Sequence, residues 1–345
     1  MTHATAISQR VAAVVYNPIK VSEETLRAAV APAEQKAGWA PTLWFETTEE
    51  DPGGGQTRQA IEQGATMVMA AGGDGTVRAV AEALYESGAS LALLPSGTGN
   101  LLARNLDLTL DHLEGSIETA FEGADRSIDL GIVEAQRSDG TRSRDIFLVM
   151  AGVGLDAQMI ANTKPELKRK VGWLAYVDAI ARSLRGNNRV RLRYSLDDQP
   201  ARAIRAHTVL IGNCGSLPAN ILLLPEAAVD DGIFDIVALR PEGFFGWVQI
   251  WIKIVWENGV LRRSTVGRKL MSLTKEVRTL RYLKGKKLVM KLDHPEEYEL
   301  DGDPFGKAVA LKAWVEHLAL TVRVPLEAAE PTEEPNPPVE HESAG

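Results

Sequence analysis

The sequence predicts an α/β protein: a doubly wound parallel sheet over residues 1–129, a β-rich unit over residues 130–325, and a disordered, acidic, Pro-rich tail over 326–345. Three observations carry this. Apolar strand candidates alternate with helical runs through the first third. Two Gly-rich turns each lie between such a strand and such a helix. After about Asp129 the rhythm changes to short alternating or apolar runs separated by turn residues.

Taken in order, the first strand candidate is Val11–Tyr16, followed by Thr42–Phe45, Thr66–Met69 and Leu91–Leu94, with helical runs between them. The third runs into Ala70-Ala71-Gly72-Gly73-Asp74-Gly75-Thr76, and a helical run follows from Val77 to Tyr85. The fourth runs into Pro95-Ser96-Gly97-Thr98-Gly99-Asn100, then Leu101-Leu102-Ala103-Arg104-Asn105. In the β-rich unit the candidates are Ile146–Met150, Val190–Ser195, Thr208–Ile211, Phe234–Leu239, Lys287–Leu292 and Leu318–Val324, the last strands being free to pack back on the first unit. No internal repeat is found.

The two Gly-rich turns carry the chemistry. Glycine accepts backbone conformations that other residues resist, so such a turn lets the main chain approach a ligand closely. The helix that follows offers free N–H groups and a positive dipole end, which suits a phosphate, with Asp74 placed for a metal ion or a hydroxyl. The spacing matches neither the dinucleotide fingerprint nor the P-loop. Gly-Asp-Gly alone is also a common turn. Two strand–turn–helix units in tandem, however, set both turns on the sheet edge where open α/β sheets bind ligands.

Bulk properties bound the rest. The net charge is −8, which argues against nucleic acid as a partner. The single cysteine, Cys214, rules out an internal disulfide and reads as a small buried filler. The histidines lack zinc-site spacing. There is neither a secretory leader pattern nor an apolar run of ~18 residues, so a cytoplasmic location is expected. Basic residues crowd one segment, from Arg262, Arg263, Arg268 and Lys269 to Lys286, Lys287 and Lys291, opposed only by Glu276. Phe244–Trp256 has one polar stripe of Gln249 and Lys253, continued by Glu257, and five Phe or Trp residues. As a helix it spans about 20 Å, too short to cross a bilayer. It reads either as an interfacial helix beside the basic segment or as a buried cover for the β-rich unit.

Gly72-Gly73-Asp74-Gly75-Thr76 and Pro95-Ser96-Gly97-Thr98-Gly99-Asn100, in this order, resemble the diacylglycerol kinase catalytic domain family, which includes soluble bacterial lipid kinases and the sphingosine and ceramide kinases. Asn17-Pro18, Thr47-Thr48, Gly152-Val153-Gly154-Leu155-Asp156-Ala157, Pro225 to Gly232, and Asp301-Gly302-Asp303 continue the resemblance over roughly residues 10 to 325. It implies a nucleotide domain followed by a β-sandwich-like domain, with the active site in the cleft between them. It implies an ATP- and Mg²⁺-dependent kinase acting on a lipid hydroxyl, most simply diacylglycerol, at the inner face of the membrane; the charge of the 262–291 segment separately points to anionic lipid. A homodimer stays open.

By the same resemblance, Asn17, Lys20, Thr47, Thr48, Gly72, Gly73, Asp74, Gly75, Thr76, Gly97, Thr98 and Asn100 form the ATP site. Asp303 is the base, and Asp231 with the carbonyls of Ala228 and Ile233 holds Mg²⁺. An Asx-turn is the competing reading of the Asp231 segment, as a plain β-turn is of Asp301-Gly302.

Several residues depart from the family pattern. Asp303 stands where Glu is commoner, shortening the reach by over ~1 Å. Ile19-Lys20 replaces the usual Ser-Gly, Leu101 stands where many members carry Asp, and Arg78-Ala79 replaces the common Asn-Glu. NAD kinase and phosphofructokinase relatives share the Gly-Gly-Asp-Gly turn but are disfavoured by the second turn and by Asp301-Gly302-Asp303. Another lipid acceptor (sphingoid base, ceramide or phosphatidylglycerol) and an inert lipid-binding regulator remain as alternatives.

Overall fold

The computed structural model describes residues 10–97, 99–154, 190–217, 221–222, 224, 226–240 and 280–328. Thr98, the aromatic segment 244–256, the basic residues from 262 to 278 and the tail beyond 328 lie outside the described residues.

The first part is built from β1 (Ala12–Tyr16), α1 (Glu23–Ala37), β2 (Leu43–Glu46), α2 (Gly54–Glu62), β3 (Met67–Gly72), α3 (Asp74–Leu84), β4 (Ser90–Pro95), α4 (Leu101–Asn105) and α5 (Leu113–Glu122). The parallel strands lie in the order β2-β1-β3-β4. Both β1 and β3 are buried at every position, which is why they read as continuous apolar runs and not as alternating ones. Successive side chains feed opposite layers. Ala12, Val14 and Tyr16 pack with Leu26 and Val30 of α1 and Ile117 and Phe121 of α5. Ala13 and Val15 pack with Ala60 of α2 and Val80 and Leu84 of α3. Helices therefore cover both faces, as a doubly wound sheet requires. The chain leaves β1 toward β2 and β3 toward β4, so the winding reverses between β1 and β3. Ligands bind outside the carboxyl ends of strands at such a point.

The second part comprises β5 (Ala124–Gln136), β6 (Arg142–Phe147), β7 (Met150–Val153), β8 (Val190–Leu196), β9 (Arg202–Ala206), β10 (Thr208–Gly212), β11 (Ser216–Leu217), β12 (Ile221–Leu222), β13 (Phe234–Leu239), β14 (Leu280–Gly285), β15 (Lys287–Leu300) and β16 (Asp303–Val324). A 3-10 turn at Leu326–Ala328 follows. Its core centres on Phe147, Phe234, Met290 and Tyr298, with the Phe147 and Phe234 rings 5.4 Å apart.

The 22-residue β16 joins the two parts. It pairs antiparallel with β15 and β5, and Val322 pairs parallel with Leu91 of β4, giving one 14-stranded sheet. Leu318–Val324, expected as a short strand, is the end of this long one. A register shift between Glu316 and Leu320, with Leu318 at φ 51°, bends it toward β4.

Between β15 and β16, Leu300 pairs with Asp303 across a two-residue loop. Asp301 and Gly302 both have positive φ, 50° and 88°, the conformation of a type I′ hairpin turn. This turn delivers Asp303 to the end of the parallel sheet.

Candidate active site

Helix α3 begins at Asp74 itself, three residues before the Val77 expected from the periodicity. Gly73 is its N-cap in an extended conformation, and as a glycine it brings no capping side chain. The amides of its first turn thus keep their capacity for an anion. Among the described residues, a Cβ on Gly73 would meet nothing nearer than the Cα of Gly97 at 3.9 Å, so these residues leave the space above the turn open. A Cβ on Gly72 would sit 2.6 Å from the Thr76 hydroxyl oxygen, because buried Thr76 packs back over the end of β3.

The second turn is folded against the first. Asn100, in the left-handed region at φ 49°, donates from Nδ2 to the Gly97 carbonyl (2.9 Å) and accepts from the Gly97 N–H (3.1 Å). A Cβ on Gly97 would lie 2.8 Å from the Gly73 Cα, so the two turns meet backbone to backbone. Asp74 fastens them. Its Oδ1 accepts from the Leu101 N–H at 2.5 Å and its Oδ2 from the Asn100 N–H at 3.1 Å. Any side chain at Gly99 would collide with that carboxylate. Burial pushes the Asp74 carboxyl upward, the hydrogen bonds from Leu101 and Asn100 oppose this, and the nearby charge of Asp303 adds to the rise. The Leu101 departure is thereby explained in part: position 101 serves Asp74 through its N–H, which any residue but proline supplies.

The remaining ATP-site candidates line the same strand ends. The Asn17 N–H bonds the Ala71 carbonyl, extending the β1–β3 ladder, and its Oδ1 accepts from the Ile19 N–H. Lys20 is exposed on this turn, its N–H bonded to the Asn17 carbonyl. Thr47 is buried with its N–H on the Tyr16 carbonyl, and the Thr48 hydroxyl accepts from the Asp51 N–H.

Asp301 and Asp303 divide the work of their turn. The Asp301 carboxylate is buried and accepts the N–H groups of Leu148 (2.9 Å), Val149 (2.8 Å) and Met150 (3.1 Å). It anchors the hairpin tip, and burial pushes its carboxyl upward against those bonds. The Asp303 side chain is 48% exposed, and its Oδ2 accepts from Arg78 Nη2 at 2.8 Å. The same oxygen lies 3.0 Å from where a Cβ on Gly75 would be. The β-turn reading of Asp301-Gly302 and the placement of Asp303 against the Gly-rich turn thus hold together. Sequence reasoning treated Arg78 only as a departure. Its partner, 225 positions away, is visible only in three dimensions.

The structure therefore gathers Gly72 to Thr76, Gly97, Asn100 and Asp303 around one sheet edge. Asp231, Ala228 and Ile233 belong to another loop, where Asp231 Oδ1 accepts the Ile233 N–H (3.1 Å) in an Asx-turn and buried Asp129 accepts the Gly232 N–H (2.6 Å). Burial raises the Asp231 carboxyl, and its charged neighbours are Asp129, Asp235 and Lys284. Among the described residues, no group of three His, Cys, Asp or Glu side chains could hold a metal. A divalent cation beside Asp74 would thus take most of its oxygens from phosphate and water, the manner that suits Mg²⁺. Of the basic segment, Lys284 pairs with Glu226 and Asp235 and Lys287 with Asp198, while Lys286 and Lys291 are exposed. Among the described residues no helix is long and apolar enough to cross a membrane.

Comparison with known proteins places these features in context. Residues 11–133 match the model of the diacylglycerol kinase catalytic domain, and residues 148–250 that of the YegS C-terminal NAD kinase beta sandwich-like domain. A "Probable lipid kinase YegS-like" of Pseudomonas fluorescens (strain Pf0-1) is 33% identical over 68% of this chain and 72% of its own. One of the same name from Pseudomonas aeruginosa (strain UCBPP-PA14) is 33% identical over 66% of this chain and 72% of its own. The fold superposes on the crystal structure of a diacylglycerol kinase from Bacillus anthracis str. Sterne with a TM-score of 0.65, at 20% identity, covering 91% of this chain and 96% of that one.

Proposed function

The chain belongs to the YegS-like family of lipid kinases, with a diacylglycerol kinase catalytic domain and a β-sandwich-like C-terminal domain, and on that premise we propose that it phosphorylates diacylglycerol to phosphatidic acid. The carrying observation is the position of Asp303: one carboxylate oxygen lies 3.0 Å from where a Gly75 side chain would begin, at the start of α3, and the side chain is half exposed.

Mg-ATP supplies the phosphoryl group and its charge. The described residues fit it, since the space they leave open above Gly73 and the first-turn amides of α3 form a cradle for phosphate oxygens. Phosphoryl transfer asks little covalent chemistry of a protein and much positioning and charge stabilisation. Gly75 and Thr76 would offer N–H donors, and Gly97 and Asn100 would wall the phosphate side. Asp74 would hold the two turns in register and, beside the phosphates, share a Mg²⁺ ion with them. Asn17, Lys20, Thr47 and Thr48 would border the nucleotide. Asp303 would accept the proton of the acceptor hydroxyl. The Asp231 loop, with the carbonyls of Ala228 and Ile233, would bind a second, structural Mg²⁺.

The acceptor is a membrane lipid, so the enzyme would work peripherally at the membrane. Exposed Lys286 and Lys291 supply positive charge toward anionic headgroups. Thin-layer separation of lipids after incubation with γ-labelled ATP tests the reading. A labelled phosphatidic acid spot is expected, and a spot on a different lipid would move the assignment to that acceptor.

A further inference from the structure

Resting on the reading of Asp303 as the acceptor-side base, we infer that Arg78 is its positioning residue: the guanidinium clamps one carboxylate oxygen so that the other faces the acceptor hydroxyl. Arg78 lies one helical turn beyond Asp74, on the same side of α3. Its Nη2 donates to Asp303 Oδ2 (2.8 Å), its Nη1 to the Leu300 carbonyl (2.8 Å), and its guanidinium carbon lies 4.8 Å from the Phe305 ring centre. These contacts fall on both sides of the Asp301-Gly302 turn. One planar group thus registers the whole hairpin tip against α3, which a point charge such as lysine does less well.

The exposures separate this clamp from an ordinary surface ion pair. The Arg78 side chain is 12% exposed and that of Asp303 48%. Oδ2 is held by Arg78 and occupies the room left by the missing Cβ of Gly75, 3.0 Å from where that atom would be. Oδ1 has no hydrogen-bond partner among the described residues, which leaves it for the substrate. The two positions that meet are also two of the departures noted in the sequence: a long Arg for Asn at 78 and a short Asp for Glu at 303. Extra reach on one side matches lost reach on the other. Glu at 303 would push its carboxylate into Arg78 or Gly75, while Asn at 78 would leave Asp303 unheld.

The test is a reciprocal exchange. Turnover of diacylglycerol in mixed micelles is measured for the wild type, Arg78→Asn, Asp303→Glu, the double variant and Arg78→Lys. Each of the first two single variants is expected to lose about 10- to 100-fold in kcat, with KM for ATP changed less than about twofold. The double variant should recover at least about tenfold over either single one, and Arg78→Lys should fall between wild type and Arg78→Asn. A bridge serving stability alone would show neither the kcat-selective loss nor the recovery. Multiplicative losses in the double variant, or an Asp303→Glu protein as active as wild type, would overturn the clamp. Urea unfolding of the same proteins reads the pair without turnover: non-additive midpoint shifts support it and additive ones refute it. A folded wild type without turnover on any lipid counts against the kinase reading, and the unfolding cycle then decides whether the clamp exists.

Discussion

Asp74 Oδ1 accepts a 2.5 Å hydrogen bond from the Leu101 N–H, so the first Gly-rich turn grips the helix that follows the second. The carboxylate is half-buried, and both its oxygens are engaged by backbone. Two turns that already leave paired strands are thereby fastened to one another as one cradle for the proposed nucleotide site.

Replacing Asp74 should therefore cost both structure and activity. Asp74→Asn sets an amide against the N–H of Asn100 or Leu101, a loss of about 1–3 kcal/mol in unfolding free energy. Asp74→Ala should abolish turnover. An Asp74→Ala protein with wild-type turnover would remove this residue from the site.

Asp303→Asn should leave the fold and ATP binding intact and lower kcat by at least ~10². Titration calorimetry with ATP, run beside the kinase assay, separates the outcomes. Lost ATP binding would assign Asp303 to the nucleotide instead of the acceptor.

Gly73 and Gly97 should respond differently to the same methyl group. A Cβ on Gly97 meets the Gly73 Cα at 2.8 Å, so Gly97→Ala must move backbone, at a cost of about 1–3 kcal/mol. A Cβ on Gly73 has open space among the described residues, so Gly73→Ala should fold with little loss of stability. It should weaken ATP binding by about tenfold, or ~1.4 kcal/mol, because the methyl enters the phosphate cradle. Equal effects of the two changes on melting temperature would contradict this packing.

Asp301 gives a pH-dependent prediction. Burial raises its carboxyl pKa in the folded state, so its contribution is fully present below the unfolded value of about 3.9 and declines as pH rises through the raised value. Asp301→Asn removes this titration. The stability gap between wild type and variant in urea should be widest near pH 3.5 and narrower at pH 7. A gap that widens with pH would show that the charge of Arg78 and the three N–H bonds together outweigh burial.

Much of the first half was legible because its signals are local. The uniformly apolar β1 and β3 and the two Gly-rich turns each announce themselves within a few residues. The start of α3 at Asp74 was missed because glycine lowers helical propensity while an acid in the first turn restores it. Strand β5 was not foreseen: its sequence mixes Asp, Ser and Gly, and it is held by pairing with β16 and β6. The same non-locality hid the bond from Arg78 to Asp303. Asp301-Gly302 reads in the sequence as a turn or as part of a site; it is a turn, and it sets the candidate base Asp303 beside the first Gly-rich turn.

The most direct test is transfer of ³²P from γ-labelled ATP, with Mg²⁺, to diacylglycerol in mixed micelles, with sphingosine, ceramide, phosphatidylglycerol and NAD as parallel acceptors. If the chain is the proposed diacylglycerol kinase, the wild type yields labelled phosphatidic acid and Asp303→Asn at least ~10²-fold less. Folded protein that binds ATP yet labels no lipid would contradict that proposal.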